Sequence, residues 1–326
     1  MLISSAKCLL PYGQHKRNPA EVPVARIAVF NQKGGVGKTT TTLNLAGLLA
    51  RRGVDPLVVD LDPQAHLTSV CGVAVPRAEA SIYGLYAHGT PLASLTCGTR
   101  NGWRLVPSHI ELSKVDSQFG KGPAVLGRLA AALDREPAER PVLMDACPML
   151  GVLSLGSVFA ADGVIIPIST DYLAMKGAVQ MERTLKALEQ VLKRRVPRRY
   201  LITRYDPRRR MSAEIERQLR ARYGDEVCAT RIAENVSLAE SPASSQDVFE
   251  HAPASRGARD YTALLDELMA TCFIRLVERD AKPGMRTPPP GARTALTAAL
   301  ATKQETVAPR GVATSLRLVQ ARRAST

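Results

Sequence analysis

Eleven consecutive residues set the architecture of this chain: Phe30-Asn31-Gln32-Lys33-Gly34-Gly35-Val36-Gly37-Lys38-Thr39-Thr40. Their glycines and the closing Gly-Lys-Thr fit the pattern of a phosphate-binding loop. The residues before them, Ala25 to Phe30, form a short apolar run typical of a buried strand, whereas Thr40 to Arg52 repeats apolar residues at helical spacing. The sequence therefore predicts a strand, a glycine-rich loop and a helix in direct succession.

Such a loop suits a nucleotide because of its backbone. The N–H groups of a glycine-rich turn close around phosphate oxygens, and the following helix directs its positive end towards them. Lys38 adds a positive charge over the terminal phosphates, and the hydroxyl of Thr39 is a ligand for the accompanying magnesium ion. We therefore expect a nucleotide with Mg²⁺, held by Gly34, Gly35, Val36, Gly37, Lys38, Thr39 and Thr40.

Carboxylates follow two further apolar runs that read as buried strands. Pro56 to Asp60 continues as Asp60-Leu61-Asp62-Pro63-Gln64, and Pro141 to Asp145 also ends in a carboxylate. Carboxylates at the carboxyl ends of such strands lie at the crevice where α/β sheets bind ligands. Because magnesium is held through oxygen ligands, we expect Thr39, Asp60 and Asp145 at the metal site.

Strands and helices alternate along the rest of the chain. Gly163 to Ile168 and Tyr200 to Thr203 read as strands, with a long helix between them from Asp171 to Leu192. Such alternation favours an α/β fold with a mostly parallel, twisted sheet and helices on both faces. We expect one nucleotide-binding domain over residues 26–275, a flexible lead-in over residues 1–25 and a basic, disordered tail over residues 281–326.

The run from Lys33 to Thr40 resembles the deviant phosphate loop of the ParA/MinD family of ATPases. The resemblance implies ATP as the nucleotide, and it implies that Lys33 reaches across a dimer interface to the partner's nucleotide. The Asp-x-Asp-Pro-Gln run at Asp60 is similar to the family's switch segment, whose second Asp orients the attacking water. By this resemblance the catalytic residues are Lys33, Lys38 and Asp62.

The resemblance extends from about Arg26 to Thr271 and points to the ParA branch, because Ile232 to Pro242 is similar to that branch's Asn-Val-x-Leu-x-Glu stretch. In relatives the nucleotide base lies near the places that Thr203, Arg204 and Asn235 take here. The departures from the family pattern are Ala65-His66 for Gly-Asn, Cys147 for a proline, and Glu234 and Ser237 for basic residues.

The net charge of +14 points to an anionic partner. Arg208, Arg209 and Arg210 fall where ParA relatives carry an arginine used for non-specific DNA binding, and guanidinium groups can contact phosphates without reading bases. Lys193 to Arg199 is expected either to extend this patch or to be a solvated helix end.

Together these resemblances imply an ATP-dependent homodimer that binds non-specific DNA. A ParB-like or other adaptor would release it by stimulating hydrolysis, for partition of a chromosome, plasmid or other cargo. Such DNA binding would make the protein nucleoid-associated. We also expect a cytoplasmic location, because the six scattered cysteines suit a reducing compartment and no run approaches the roughly 20 apolar residues of a membrane span.

Three alternatives stay open at this point. The first is a MinD-like ATPase that acts on a membrane surface, although the basic tail lacks an aromatic anchor. The second is an accessory ATPase of an envelope or polysaccharide synthesis complex. The third is a metabolic enzyme of the same superfamily, such as an ATP-dependent ligase or a nitrogenase-type reductase, and the cysteine placement disfavours the reductase.

Overall fold

A computed structural model describes residues 26–275 of the chain, except residues 121 and 138. The predicted nucleotide-binding domain falls within this range. The predicted lead-in, residues 1–25, and the predicted basic tail, residues 281–326, lie outside the described residues.

Eight strands form one sheet in the described part of the chain. The strands are β1 (Arg26–Val29), β2 (Leu57–Asp60), β3 (Cys97–Gly98), β4 (Arg104–Val106), β5 (Val142–Asp145), β6 (Gly163–Ser169), β7 (Arg198–Tyr205) and β8 (Val227–Ala233). Their order across the sheet is β3-β4-β2-β5-β1-β6-β7-β8. Every neighbouring pair is parallel except β3 with β4, so the predicted mostly parallel sheet is confirmed.

Helices connect the strands. The α-helices are α1 (Lys38–Arg51), α2 (His66–Val70), α3 (Ile82–His88), α4 (Leu92–Leu95), α5 (Val115–Phe119), α6 (Pro123–Leu126), α7 (Arg128–Leu133), α8 (Val152–Ala160), α9 (Ala174–Leu192), α10 (Arg210–Tyr223), α11 (Val236–Glu240), α12 (Val248–His251) and α13 (Arg256–Ala270). Short 3₁₀ helices lie at Ala78–Ala80, Ile110–Lys114, Gly224–Glu226 and Ser241–Ser244. None of the described helices combines the length and the apolar character that a bilayer span requires.

The helices cover both faces of the sheet, as the side chains of β1 and of Phe30 directly after it illustrate. Ile27 and Val29 belong to one apolar core, which includes residues of α1 and α13. Ala28 and Phe30 belong to a second core on the other face, with residues of α8 and α9. A strand buried on both faces needs apolar side chains at every position, which explains the continuous apolar runs in the sequence.

The parallel strands bring the predicted site residues to one edge of the sheet. β1 lies between β5 and β6, so the loop that follows it opens between the ends of these two strands. In the pairing of β2 with β5, Asp60 is aligned with Asp145. The carboxyl ends of parallel strands are where such sheets bind ligands, so the topology places the loop and both carboxylates at one crevice.

Candidate nucleotide-binding site

The glycine-rich loop joins β1 to α1 and presents its backbone to the crevice. Gly35 and Gly37 have φ angles of 72° and 89°, a left-handed conformation that favours glycine. Gly37 precedes α1, and its carbonyl accepts the first helical hydrogen bond from the N–H of Thr41 at 2.9 Å. The N–H groups at the start of the helix have no intrahelical acceptor, so they are available to an anion.

Two buried polar side chains hold the loop from behind. Asn31 donates from Nδ2 to the carbonyl oxygen of Pro167 at 2.7 Å and accepts the N–H of Lys33 through Oδ1 at 3.0 Å. Thr203, predicted near the nucleotide base, donates its hydroxyl to the carbonyl oxygen of Val36 at 2.9 Å. Thr203 therefore supports the phosphate loop directly. Sequence reasoning did not predict this role of Asn31. The only sign of it in the sequence is that Asn31 is a polar residue directly after a run that reads as a buried strand.

The two lysines of the loop have different surroundings. Lys38 is buried and donates from Nζ to the carbonyl oxygen of Lys33 at 3.0 Å. Burial lowers its pKa, while the charges of Asp145 and Asp62 act in the opposite direction. Lys33 is partly exposed and forms an ion pair with Asp171, a residue that the sequence did not single out.

Asp171 holds Lys33 in place within the same chain. It accepts a second hydrogen bond from the hydroxyl of Ser169 at 2.6 Å. Burial alone would raise the pKa of Asp171, but the hydrogen bonds from Lys33 and Ser169 bring it below its usual value. This ion pair competes with any contact that Lys33 makes to another molecule. Because exposed ion pairs contribute only about 0–1 kcal/mol, the exchange is energetically accessible.

Thr39, Asp60 and Asp145, the predicted magnesium residues, lie together. The hydroxyl of Thr39 donates to Asp145 at 2.7 Å, and both carboxylates are buried. Burial raises the pKa of Asp60 to about 6, and burial followed by the charge of Asp60 raises that of Asp145 to about 8. A cation beside Asp145 would offset this desolvation, so the oxygen donors fit magnesium. The site offers two carboxylates and one hydroxyl, and no cluster of three or more His, Cys, Asp or Glu side chains suited to a metal occurs among the described residues.

Asp62 follows β2 and is only half-buried, unlike Asp60. Its carboxylate accepts the N–H of Gln64 at 2.9 Å, and its backbone N–H donates to Asp60 at 3.1 Å. The side chain that the family resemblance assigns to the attacking water is thus next to the metal-site carboxylates and accessible from the crevice.

The predicted base-binding residues meet where β7 and β8 end. Tyr205 pairs with Ala233, which brings Thr203 and Arg204 close to the turn that contains Asn235. Oδ1 of Asn235 is a buried acceptor with no hydrogen-bond donor among the described residues. An amino group of a purine base would satisfy it, so this orphaned acceptor fits the adenine of ATP. Arg204 instead points to solvent, where it pairs with Glu234 at 3.2 Å.

The predicted DNA-binding residues Arg208, Arg209 and Arg210 are exposed, but two carboxylates offset their charge. Asp206 pairs with Arg208 at 3.0 Å, and Arg209 lies 3.4 Å from Asp206 and 3.3 Å from Glu234. Hydrogen bonds from Arg208 lower the pKa of Asp206 to about 2, so it stays ionised at neutral pH. The arginine patch is therefore basic, though less so than its sequence suggests.

Of the two alternatives for Lys193 to Arg199, the structure excludes the one in which these residues extend the arginine patch. These residues precede or begin β7, whereas Arg208 follows its other end, so the strand's eight residues separate them by about 23 Å. Arg198 is buried and pairs with Glu189, and Arg195 pairs with Glu226 at 2.5 Å. A strand runs straight, so the residues before it and the residues after it lie at opposite edges of the sheet, although they are close in sequence.

The Ala65 departure from the family pattern has a visible backbone consequence. Ala65 adopts φ 53° and ψ 33° as the residue before α2, a left-handed conformation in which glycine is favoured. We expect Ala65→Gly to raise the free energy of unfolding by about 0.5–1 kcal/mol. The strain relieved is about 1–2 kcal/mol, and the added entropy of the unfolded chain offsets about 0.4–1 kcal/mol.

Chemical denaturation measures this effect, with Ala263→Gly as the matched control. Ala263 is exposed in the middle of α13, where glycine should lower the free energy of unfolding by about 0.5–1 kcal/mol. A loss of stability in Ala65→Gly as large as in the control would show that the left-handed conformation carries no strain.

Comparison with known proteins places the chain among ATPases and nucleotide-binding enzymes. The family described as "AAA domain" matches residues 24–197. The chain is 40% identical over 248 residues to the chromosome-partitioning ATPase Soj of Thermus thermophilus, covering 76% of the chain and 96% of that protein. It is 31% identical over 253 residues to the chromosome partitioning protein ParA of Caulobacter vibrioides, covering 76% of the chain and 95% of that protein.

Among solved structures, the chain resembles cobyrinic acid a,c-diamide synthase from Mycobacterium smegmatis with bound ATP analogue and magnesium. The TM-score is 0.68 at 28% identity, and the match covers 79% of the chain and 100% of the synthase.

Proposed function

The chain belongs to the ParA family of partition ATPases, and on this premise we propose that it binds and hydrolyses ATP, dimerises in the ATP state and then binds DNA non-specifically. Its cargo would be a chromosome, a plasmid or another large assembly. The 40% identity with a partition ATPase, against 28% with the synthase, favours partition over ligase chemistry.

The phosphate loop carries this proposal. Its left-handed glycines and the N–H groups at the start of α1, which have no acceptor within the helix, form a cradle for phosphates. Lys38 is the only buried side-chain cation of the loop, all of which the structure describes. The orphaned Oδ1 of Asn235 offers an acceptor for the base, and the solved relative carries an ATP analogue with magnesium. These observations support ATP as the ligand.

Hydrolysis would use residues that already lie at the crevice. Thr39 and Asp145 would hold Mg²⁺, with Asp60 behind them, and the ion would neutralise charge on the phosphates. Asp62 would orient a water molecule for in-line attack, because its carboxylate is accessible and beside the metal site. Lys38, together with Lys33 from a partner, would stabilise the negative charge that develops as the terminal phosphate leaves.

The surface around the crevice supports dimerisation. Four large apolar side chains are exposed after β5 and β6, on either side of the phosphate loop: Met149, Leu150, Tyr172 and Leu173. Exposed apolar groups clustered at one edge mark an interaction surface. A second copy that covers them face to face would bring its own Lys33 to this nucleotide.

The arginine patch would supply the DNA affinity of the dimer. Phosphate contacts by Arg208, Arg209 and Arg210 would give salt-sensitive, sequence-independent binding. A nucleoid-associated location follows, with release when a ParB-like or other adaptor stimulates hydrolysis. The membrane-surface alternative needs a lipid-binding segment, and the basic tail in which one was considered lies outside the described residues.

Binding to a random DNA duplex tests the proposal, measured by fluorescence anisotropy with ATP, with ADP and without nucleotide. We expect binding to require ATP. Replacing Arg208, Arg209 and Arg210 with alanine should weaken it roughly 10- to 100-fold and lower the slope of log affinity against log salt by about 2 to 3. Glu234→Gln should act in the opposite direction, because Glu234 competes for Arg204 and Arg209.

A second triple variant provides the matched control. Lys193, Arg194 and Arg195 changed to alanine removes the same charge from the other edge of the sheet, so DNA binding should change less than threefold. Equal losses in the two triple variants would mean that net charge, not the arginine patch, governs binding. Equal binding with and without ATP would remove the nucleotide-dependent partition proposal and favour the membrane or accessory-complex alternatives.

A further inference from the structure

A closed ring of hydrogen bonds surrounds the backbone of Asp62. Asp60 accepts the N–H of Asp62 at 3.1 Å through Oδ1, and it accepts the N–H and hydroxyl of Thr68 at 2.9 and 2.6 Å through Oδ2. The hydroxyl of Thr68 accepts the N–H of Ser108 at 2.9 Å, and the hydroxyl of Ser108 donates to the carbonyl oxygen of Asp62 at 2.5 Å. The four residues therefore bond in a circle that begins and ends at Asp62.

This buried ring joins three separate parts of the chain. Asp60 ends β2, Thr68 lies in α2, and Ser108 follows β4, the strand beside β2 in the sheet. Asp60, Thr68 and Ser108 are 0%, 3% and 1% exposed. Hydrogen bonds in such a buried place are strong, and leaving a member unpaired is unfavourable, so the ring is rigid only while it is complete.

The ring acts on the main chain of Asp62 and leaves the side chain free. The N–H and the carbonyl oxygen of Asp62 are both held, whereas its carboxylate accepts only the local N–H of Gln64 among the bonds found in the described residues. Both oxygens of Asp60, by contrast, are engaged by protein donors. The chemistry of the ring therefore suits Asp60 to hold its neighbour in position.

We propose that Thr68 and Ser108 are positioning residues for hydrolysis, which together with Asp60 fix the backbone of Asp62 so that its carboxylate meets the attacking water. This inference rests on the proposed function. Misplacing a catalytic group by about 1 Å can slow a reaction roughly 100-fold. A buried hydroxyl in α2, bonded to Asp60 and Ser108, thus controls the rate of the chemical step.

Thr68→Val tests the proposal because valine keeps the shape of threonine and lacks the hydroxyl. It removes the donor to Asp60 and the acceptor for Ser108. We expect kcat for ATP hydrolysis to fall roughly 10- to 100-fold while KM and the directly measured affinity for ATP change less than threefold. Thr68→Ser restores the hydroxyl and should recover kcat to within about threefold of the original protein.

Two comparisons separate positioning from a general loss of structure. In a chain that already carries Asp62→Ala, Thr68→Val should have no further effect on kcat, because there is no carboxylate left to position. Ser108→Ala should slow hydrolysis, whereas Ser157→Ala should not. Ser157 is an equally buried serine of α8, and it also donates to a backbone carbonyl, that of Ser154 at 2.7 Å.

Hydrogen exchange at the amides of Asp62 and Ser108 is read in the same variants without nucleotide. Thr68→Val should speed exchange at both amides, and Thr68→Ser should not. If the original chain does not hydrolyse ATP, the proposed function fails while the exchange result still tests the ring. Unchanged exchange in Thr68→Val, or an equal loss of kcat with and without Asp62, overturns the positioning role.

Discussion

Asp62→Ala is expected to slow ATP hydrolysis roughly 10²- to 10³-fold while leaving ATP affinity within about threefold. A carboxylate that orients water contributes rate enhancement of this size and makes no contact that bound ATP needs. Phosphate release under steady-state conditions measures hydrolysis, and direct titration with a fluorescent ATP analogue measures affinity.

The matched control is Asp55→Ala. Asp55 is also partly exposed, but it precedes β2 at the opposite edge of the sheet, where it pairs with Arg104 at 3.0 Å. Its loss should leave kcat within about twofold. If Asp62→Ala hydrolyses ATP at the original rate, another group orients the water and the switch segment has a different role.

Lys33→Ala is expected to abolish the ATP-dependent dimer at micromolar concentrations and to slow hydrolysis at least about 100-fold. The side chain would supply charge to the partner's phosphates, and losing one such group from a catalytic site has an effect of this order. Sedimentation with a slowly hydrolysed ATP analogue measures dimerisation. ATP binding to the monomer should persist, because Lys38 and the loop backbone are unchanged.

A second variant sharpens this test in the opposite direction. Asp171 holds Lys33 within its own chain, so Asp171→Asn should free the lysine and strengthen the dimer by up to about fivefold, the size of a partly exposed ion pair. If Lys33→Ala dimerises as well as the original chain, Lys33 acts within its own subunit and the trans contact is absent.

Much of the fold could be predicted from the sequence because its signals are local. The apolar runs of β1, β2, β5 and β6 need no knowledge of their neighbours, since a strand covered on both faces is apolar throughout. The phosphate loop is likewise contiguous, and its glycines meet a backbone requirement within three residues. Placing Asp60 and Asp145 at one edge then required only the rule that parallel strands end together.

The partners of these residues could not be predicted in the same way. Lys33 and Asp171 are separated by 138 positions, and Arg209 meets Glu234 across the ends of β7 and β8. The basic run from Lys193 to Arg210 looks like one patch in sequence, yet β7 divides it between two edges of the sheet. Nothing in the pattern of charges shows that a strand lies within this run and carries the chain from one edge of the sheet to the opposite edge.

By itself the sequence determined the phosphate loop, the α/β class and the carboxylates that end β2 and β5. The loop and the carboxylates depend on residues within one turn or one strand, and the class depends only on the order of elements along the chain. Only the tertiary structure decided which side chains complete the site. Asp171 on Lys33, Thr203 behind Val36, and the buried ring through Thr68 and Ser108 all join residues distant in sequence. Hydrogen bonds of this kind depend on atoms brought within about 3 Å by the packing of the whole sheet, which no local pattern encodes.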